Sequence, residues 1–212
     1  MRFVQVNPRN ESAVIAQAEV CLKQGGTVIF PTETVYGIGA AAENDGAIAA
    51  VYAAKGRARD KPLALHVNDV SQAEPFVSDW TVAARRVIAK FWPGPIAVIV
   101  TRAAGRFESA ANGLPTISLR CPDHAFTRSL LARCGPLAAT SANRSGAAAF
   151  TGASDDRTQL PEATLAFLAG PTAFQRESTI VDCTTETPRV LRWGAVAADA
   201  LAATLGTESL TR

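Results

Sequence analysis

The sequence predicts an α/β fold: a twisted mixed β-sheet flanked by helices. Short apolar, β-branched runs alternate with segments of helical period along all 212 residues. No linker-like break, low-complexity tract or internal repeat interrupts that alternation. The polar, glycine-containing motifs fall at the ends of the strand-like runs, where open α/β sheets usually hold ligands. With 48% hydrophobic and 19% charged residues, the chain has the apolar content for one sizeable domain and is not a disordered polymer.

Taken in order, Val14, Ala18, Cys21 and Leu22 recur near helical spacing and predict a helix over 12–24, stopped by Gly25 and Gly26. Thr-Val-Ile-Phe at 27–30 reads as a buried strand. Asn44 and Asp45 can cap a helix that buries Ile48, Val51 and Tyr52 and ends at Lys55-Gly56, with a cation at the negative end of the helix dipole. A strand follows at 63–67. Asp79 is placed to cap a helix running to Phe91, which Trp92-Pro-Gly-Pro95 breaks. Ile-Ala-Val-Ile-Val-Thr at 96–101 is apolar on both faces, as a central strand is. Further strands are expected at 116–120 and 137–140, separated by a helix that Asp123 caps. The small, polar stretch 145–159 reads as a mobile loop. Strands at 165–168, 179–184 and 189–192 and a helix over 197–205 complete the chain.

Net charge is only +2 and the sequence pI is near 8.4. That falls short of the value above about 9 that marks nucleic-acid-binding domains. Lysines are few, and most of the basic residues are arginines, which suit bidentate recognition of phosphate and carboxylate. The four cysteines form no Cys-x-x-Cys, and neither histidine neighbours a cysteine pair, so no zinc or other metal site is expected. No signal-peptide core and no run of about 18 apolar residues occurs, which predicts a cytoplasmic protein with free thiols and no membrane contact.

The chemistry concentrates in Pro31-Thr-Glu-Thr-Val-Tyr-Gly-Ile-Gly39, directly after the first strong strand. Its hydroxyls and glycines serve a ligand loop or a capped turn equally well. Four cations lie within residues 55–61, around Gly56: a polyphosphate clamp or a solvated basic loop. His66 sits in an apolar strand, as a core histidine or a substrate contact. His124, beside Asp123, looks like surface capping. Thr140-Ser-Ala-Asn143 ends a strand with groups that can bind a nucleotide or an amino acid, or cap a turn. Neither a Walker A loop nor a dinucleotide fingerprint is present, and no nucleophile–base–acid set stands out.

These motifs, in this order, resemble the threonylcarbamoyl-AMP synthase family, the YrdC-like domain. The resemblance rests also on Lys61-Pro-Leu-Ala-Leu-His66, Phe91-Trp-Pro-Gly-Pro95, Leu119-Arg-Cys-Pro-Asp-His124, Thr140-Ser-Ala-Asn-Arg-Ser-Gly146, Ser178-Thr-Ile-Val-Asp182 and Leu191-Arg192. It implies one YrdC-like domain over 1–212, with a core at about 12–196, a concave basic cleft and no C-terminal extension domain. Ala58, Lys61 and Ala97 depart from the family's usual proline, asparagine and threonine. The implied reaction joins L-threonine, bicarbonate (or CO2) and ATP into threonylcarbamoyl-AMP and pyrophosphate, the first step of threonylcarbamoyladenosine formation in tRNA.

By the same resemblance, Lys55 and Arg57 are the catalytic cations. Thr32, His66, Arg120, Ser141 and Ser178 hold threonine and carbamate. Arg57, Lys61, Thr116, Asn143, Thr151 and Arg192 hold ATP, which brings Mg2+; no tightly bound cofactor is implied. A downstream threonylcarbamoyl-transferase complex takes the product, and tRNA is a further expected partner. The main alternative is an RNA-binding protein without adenylate-forming activity. Carbamoyl-adenylate chemistry of the hydrogenase-maturation type is disfavoured by the missing zinc-finger cysteines, and a hydrolase by the missing nucleophile.

Overall fold

The apolar runs pair into a single mixed sheet. A computed structural model describes residues 1–154 and 156–206. Among them the strands are β1 (Arg2–Gln5), β2 (Val28–Phe30), β3 (Gly37–Ala41), β4 (Ala64–His66), β5 (Val77–Asp79), β6 (Ile96–Arg102), β7 (Thr116–Arg120), β8 (Leu137–Ser141), β9 (Leu165–Leu168), β10 (Thr179–Asp182) and β11 (Arg189–Arg192). The helices are α1 (Glu11–Lys23), α2 (Asp45–Lys55), α3 (Val70–Ala73), α4 (Val82–Phe91), α5 (Glu108–Ala111), α6 (Ala125–Cys134) and α7 (Ala198–Leu205). The strand order is β1-β9-β2-β3-β8-β4-β7-β6-β10-β11, with β5 paired to the far end of β6. β1–β9, β2–β9, β4–β7 and β6–β10 are parallel, and the other pairs are antiparallel.

Successive residues of a strand point to opposite faces, so cross-strand register divides the sheet into two surfaces. One surface carries Ile38, Leu65, Val98 and Leu119, which pack with Ile48 and Val51 of α2, Val87 of α4 and Leu201 of α7. The other changes character along its width. Near β2 and β9 it carries Val28, Phe30, Leu137 and Phe167, covered by Val14 and Leu22 of α1 and by Phe126 and Leu130 of α6. Further across, the register places Ala64 opposite Ser118 and Ala139, and His66 and Ala97 opposite Arg120. Those side chains are small or polar, and the sheet is hollow there.

Local chemistry fixes the helix ends. Asn44 Oδ1 accepts the Ala47 N–H at 2.9 Å at the start of α2, and Gly56 adopts φ 59° at its end, as expected of a left-handed cap. Two expected caps fall elsewhere. Asp79 belongs to β5, and Thr81, the residue next to α4, accepts from Ala84 N instead. Asp123 makes no cap; His124 is the residue before α6, and its side chain makes no capping hydrogen bond.

The packed unit is also longer than residues 12–196. β1 pairs with β9, and Leu201 and Leu205 of α7 are buried in the main core. β3, expected as part of a polar loop, is a strand made of Gly-Ile-Gly-Ala-Ala. A Cβ on Gly37 would lie 2.9 Å from the Phe30 ring. One on Gly39 would lie 2.9 Å from Ala139 Cβ and 3.0 Å from Ala138 O. Close strand packing under Phe30, rather than loop freedom, requires these glycines. The stretch 145–159 contains no helix or strand among its described residues, yet it is anchored: Ser145 N donates to Lys55 O, Arg144 N to Gln159 O, and Phe150 packs on Tyr36.

Gly39→Ala is expected to destabilise the protein by about 1–3 kcal/mol, the usual range for overpacking a tight core. A urea midpoint unchanged from wild type would show that β3 and β8 can separate freely.

Candidate active site

The hollow half of the sheet is the floor of a cleft of about 420 Å³. Ala64 and His66 of β4, Ser118 and Arg120 of β7, Ala97 and Ile99 of β6, and Ile180 of β10 line it at alternate positions. Lys55, Arg57, Lys61, Arg120 and Arg192 bring five cations to the wall, and Glu177 is the one acid among the described lining residues.

The motif at residues 31–36 is sewn to its surroundings. Thr32 Oγ1 donates to Val35 O at 2.6 Å and accepts from Thr34 N at 3.2 Å. Thr127 Oγ1 donates to Pro31 O, Thr172 Oγ1 donates to Thr34 O at 2.7 Å, and Phe174 N donates to Glu33 O at 2.8 Å. Arg120 Nη2 donates to Thr34 Oγ1 at 2.6 Å and to Glu33 Oε1 at 3.0 Å, in a pair with both side chains buried. Its Nε is buried without a partner among the described residues, as are Glu33 Oε2 and His66 Nδ1. Burial, with the charge of Arg120 second, holds His66 down to about 3, so its imidazole is neutral at any working pH. His66 is therefore a buried, neutral histidine that lines the cleft, with its Nδ1 unpartnered among the described residues.

Lys55 closes the other side. Its ammonium donates to Ser141 O, to Asn143 O at 2.6 Å and to Asn143 Oδ1 at 3.2 Å. The side chain thus joins the end of α2 to the end of β8. Lys55 is 3% exposed. Burial, reinforced by the nearby charge of Arg57, lowers its pKa to about 8. Asn143 is committed as well: Oδ1 also accepts from Ser141 Oγ at 2.6 Å, and Nδ2 donates to Ala147 O at 2.8 Å. Arg57 donates to the carbonyls of Lys61 and Pro62. Arg192 donates to Glu177 Oε2 at 2.8 Å, Ser178 O at 3.1 Å and Ser178 Oγ at 3.2 Å. Lys55 and Arg57 are thus anchored on neutral oxygens alone, which hold the group and leave its charge, while Arg120 and Arg192 are each also paired with one acid. Such a site presents a fixed positive field to anions.

Of the expected residues, Thr32, Lys55, Arg57, Lys61, His66, Arg120, Ser141, Asn143, Ser178 and Arg192 all line the cleft. Thr116 and Thr151 are not among its lining residues. Thr116 starts β7, opposite Thr101, and the same strand face reaches the cleft only at Ser118 and Arg120. Period-two spacing from Arg120 points to Thr116 and Ser118 alike, so Ser118 was findable. His124 is no exposed cap; its Nδ1 is buried and unpaired among the described residues, and burial lowers its pKa. Glu177 is flagged by no periodicity.

The family model for Sua5, YciO and YrdC, described as "Telomere recombination", matches residues 20–194. A Mycobacterium leprae protein provisionally named a threonylcarbamoyl-AMP synthase is 41% identical over 205 residues, covering 96% of this chain and 93% of its own length. The Bacillus subtilis threonylcarbamoyl-AMP synthase is 36% identical over 91% of this chain, which spans 56% of that protein. The crystal structure of Pyrococcus abyssi Sua5 complexed with L-threonine matches 99% of this chain with a TM-score of 0.90 at 31% identity, and the chain spans 62% of it.

Lys55→Met is expected to lower stability by about 1–3 kcal/mol, because it strands buried carbonyls that the ammonium satisfies. The check is urea denaturation at pH 7; an unchanged midpoint would mean that water replaces the ammonium there.

Proposed function

We propose, on the premise that this chain belongs to the Sua5/YciO/YrdC family, that it makes threonylcarbamoyl-AMP from L-threonine, bicarbonate and ATP. The observation that carries this reading is the cleft itself, with five cations and one acid around about 420 Å³. In the reaction, bicarbonate takes up a proton and loses water to give CO2, and the threonine amine adds to CO2 and releases a proton to give a carbamate. A carbamate oxygen then attacks the α-phosphorus, the bond to the β-phosphate oxygen breaks, and pyrophosphate leaves. The chain acts in this reading as a nucleotidyltransferase.

Both reactants are anions. Two like charges about 4 Å apart at an effective dielectric near 20 repel by about 4 kcal/mol, so fixed positive charge is the main requirement. Lys55, Arg57 and Arg192 supply it from anchored positions and stabilise charge growing on the phosphate. Arg120 takes the threonine carboxylate. Its Nη2 is held by Glu33 and Thr34, while its Nη1 makes no hydrogen bond among the described residues. Thr32, Ser141, Ser178 and the neutral His66 offer hydrogen bonds to the hydroxyl and carbamate. Lys61, whose ammonium has no hydrogen-bond or acidic partner among the described residues, reaches the phosphates, and Asn143 acts by holding Lys55. ATP arrives with Mg2+. The product passes to a threonylcarbamoyl-transferase complex that modifies tRNA.

The primary test is pyrophosphate release from ATP and bicarbonate with and without L-threonine, with serine as control. Threonine-dependent release is expected; release indifferent to any amino acid, from folded protein that binds ATP, would point to RNA binding or another acceptor. Arg120→Ala should raise the threonine KM by at least about 30-fold, the equivalent of about 2 kcal/mol for a truncated charge pair, and move the ATP KM far less. Equal shifts in both would make Arg120 a structural residue.

The pH profile is a separate check. The folded-state pKa of Lys55 lies below its ordinary value, so the charge is present below about 8 and lost above it. kcat/KM should fall as pH rises through about 8, and Lys55→Arg should move that limb upward. A flat profile to pH 10 would remove Lys55 from the electrostatics.

A further inference from the structure

We infer that a second pocket, between α4 and α6, binds an amphipathic carboxylate: a medium-chain or aryl acid held by its hydrocarbon body and by its charge. The pocket is an open hollow of about 420 Å³ and shares no lining residue with the cleft. That volume is within the range of small-molecule sites. Arg85, Ile88, Ala89 and Trp92 reach it from one face of α4 and its end, at the i, i+3, i+4, i+7 spacing of a helical stripe. Asn68 and Cys121 close it from the ends of β4 and β7, two residues beyond His66 and one beyond Arg120.

The polar atoms of this pocket select the ligand's chemistry. Trp92 Nε1 donates to Ile96 O at 3.2 Å, and its ring is held edge-on by Trp80, so it offers only apolar surface. Cys121 Sγ donates to Asn68 O at 3.0 Å, and burial pushes the thiol up to about 11, leaving it neutral. Asp69 is committed to the start of α3: Oδ1 accepts from Ser71 Oγ at 2.7 Å and Gln72 N at 3.0 Å, and Oδ2 from Asn68 Nδ2 at 3.3 Å. Two groups remain. Arg128 Nε is buried and unsatisfied, and neither arginine side chain has a hydrogen bond or an acidic partner among the described residues; Arg85 is exposed, so its charge faces the pocket mouth from solvent. A buried unpaired donor is costly and rare in a native protein. Two guanidinium groups against one committed carboxylate call for an anionic acceptor, and the apolar walls call for hydrocarbon. A bare phosphate would leave Ile88 and Trp92 uncovered; an alcohol can accept a hydrogen bond from Arg128 but gives its charge no counter-ion.

The experiment is isothermal titration calorimetry of the full chain with octanoate, with octan-1-ol as the uncharged comparator. Octanoate should bind once per chain, unaffected by saturating ATP and L-threonine, and at least tenfold more tightly than octan-1-ol. Ala89→Trp, which fills the pocket from an exposed position of α4, should abolish binding. Arg128→Gln and Arg85→Gln should each weaken it at least tenfold, with pyrophosphate release unchanged in all three variants. No detectable binding, displacement by ATP or threonine, or affinity unchanged in Ala89→Trp and Arg128→Gln would each overturn the assignment. Circular dichroism of each variant separates lost binding from lost folding; should Arg128→Gln unfold, Ala89→Trp and Arg85→Gln still decide.

Discussion

The structure depends on a change of side-chain volume along one face of the sheet. Phe30, Leu137 and Phe167 fill that face against α1 and α6. From Ala139 of β8 onward across β4, β7 and β6, Ala64, Ser118 and Ala97 leave it unfilled. A sheet buried on both faces needs helices on both, and among the described residues the second face has none over its hollow part. The space that results is lined by whatever long side chains the strand ends and loops direct into it. Those are arginines and lysines, so the cavity is electropositive by construction.

Holding so many cations together is itself unfavourable, and the fold answers this with carbonyl oxygens more than with acids. Lys55, Arg57 and Arg192 all donate to backbone oxygens, while Glu33 and Glu177 pair with Arg120 and Arg192. Neutral acceptors satisfy the donors and leave net charge in place. Burial first, and the neighbouring charge of Arg57 second, lower the pKa of Lys55. The hydroxyls of residues 32 and 34 serve the same end, since Thr34 positions Arg120 before it positions anything else.

Much of this was legible in the sequence where a local rule suffices. The α2 cap at Asn44, the stop at Gly56, and strands β2, β6, β7, β9 and β11 follow from short-range chemistry. The ordered motifs located most of the cleft because they sit at strand ends. What escaped notice depends on partners far away in the chain. β3 is a strand only because β2 and β8 flank it, and its glycines answer to the Phe30 ring rather than to a ligand. Thr116 and Ser118 share a face, and only the tertiary arrangement decides which reaches the cavity. Arg85 and Arg128 lie 43 positions apart and carry no motif, so nothing local announces that they meet.

The Lys55–Ser141–Asn143 knot has a consequence for genetics. Asn143 Oδ1 serves both the Ser141 hydroxyl and the Lys55 ammonium, while its Nδ2 holds the loop at Ala147. Residues that share partners in this way fail or survive as a set, and their mutational effects do not add. The shared point is Asn143 Oδ1: once Asn143 is replaced, the Ser141 hydroxyl has lost its acceptor and replacing Ser141 removes little more, whereas Lys55 keeps its bonds to the two backbone carbonyls. Variation at Ser141 and Asn143 should therefore be tolerated as coordinated substitutions more readily than as single ones, while Lys55 varies on its own account.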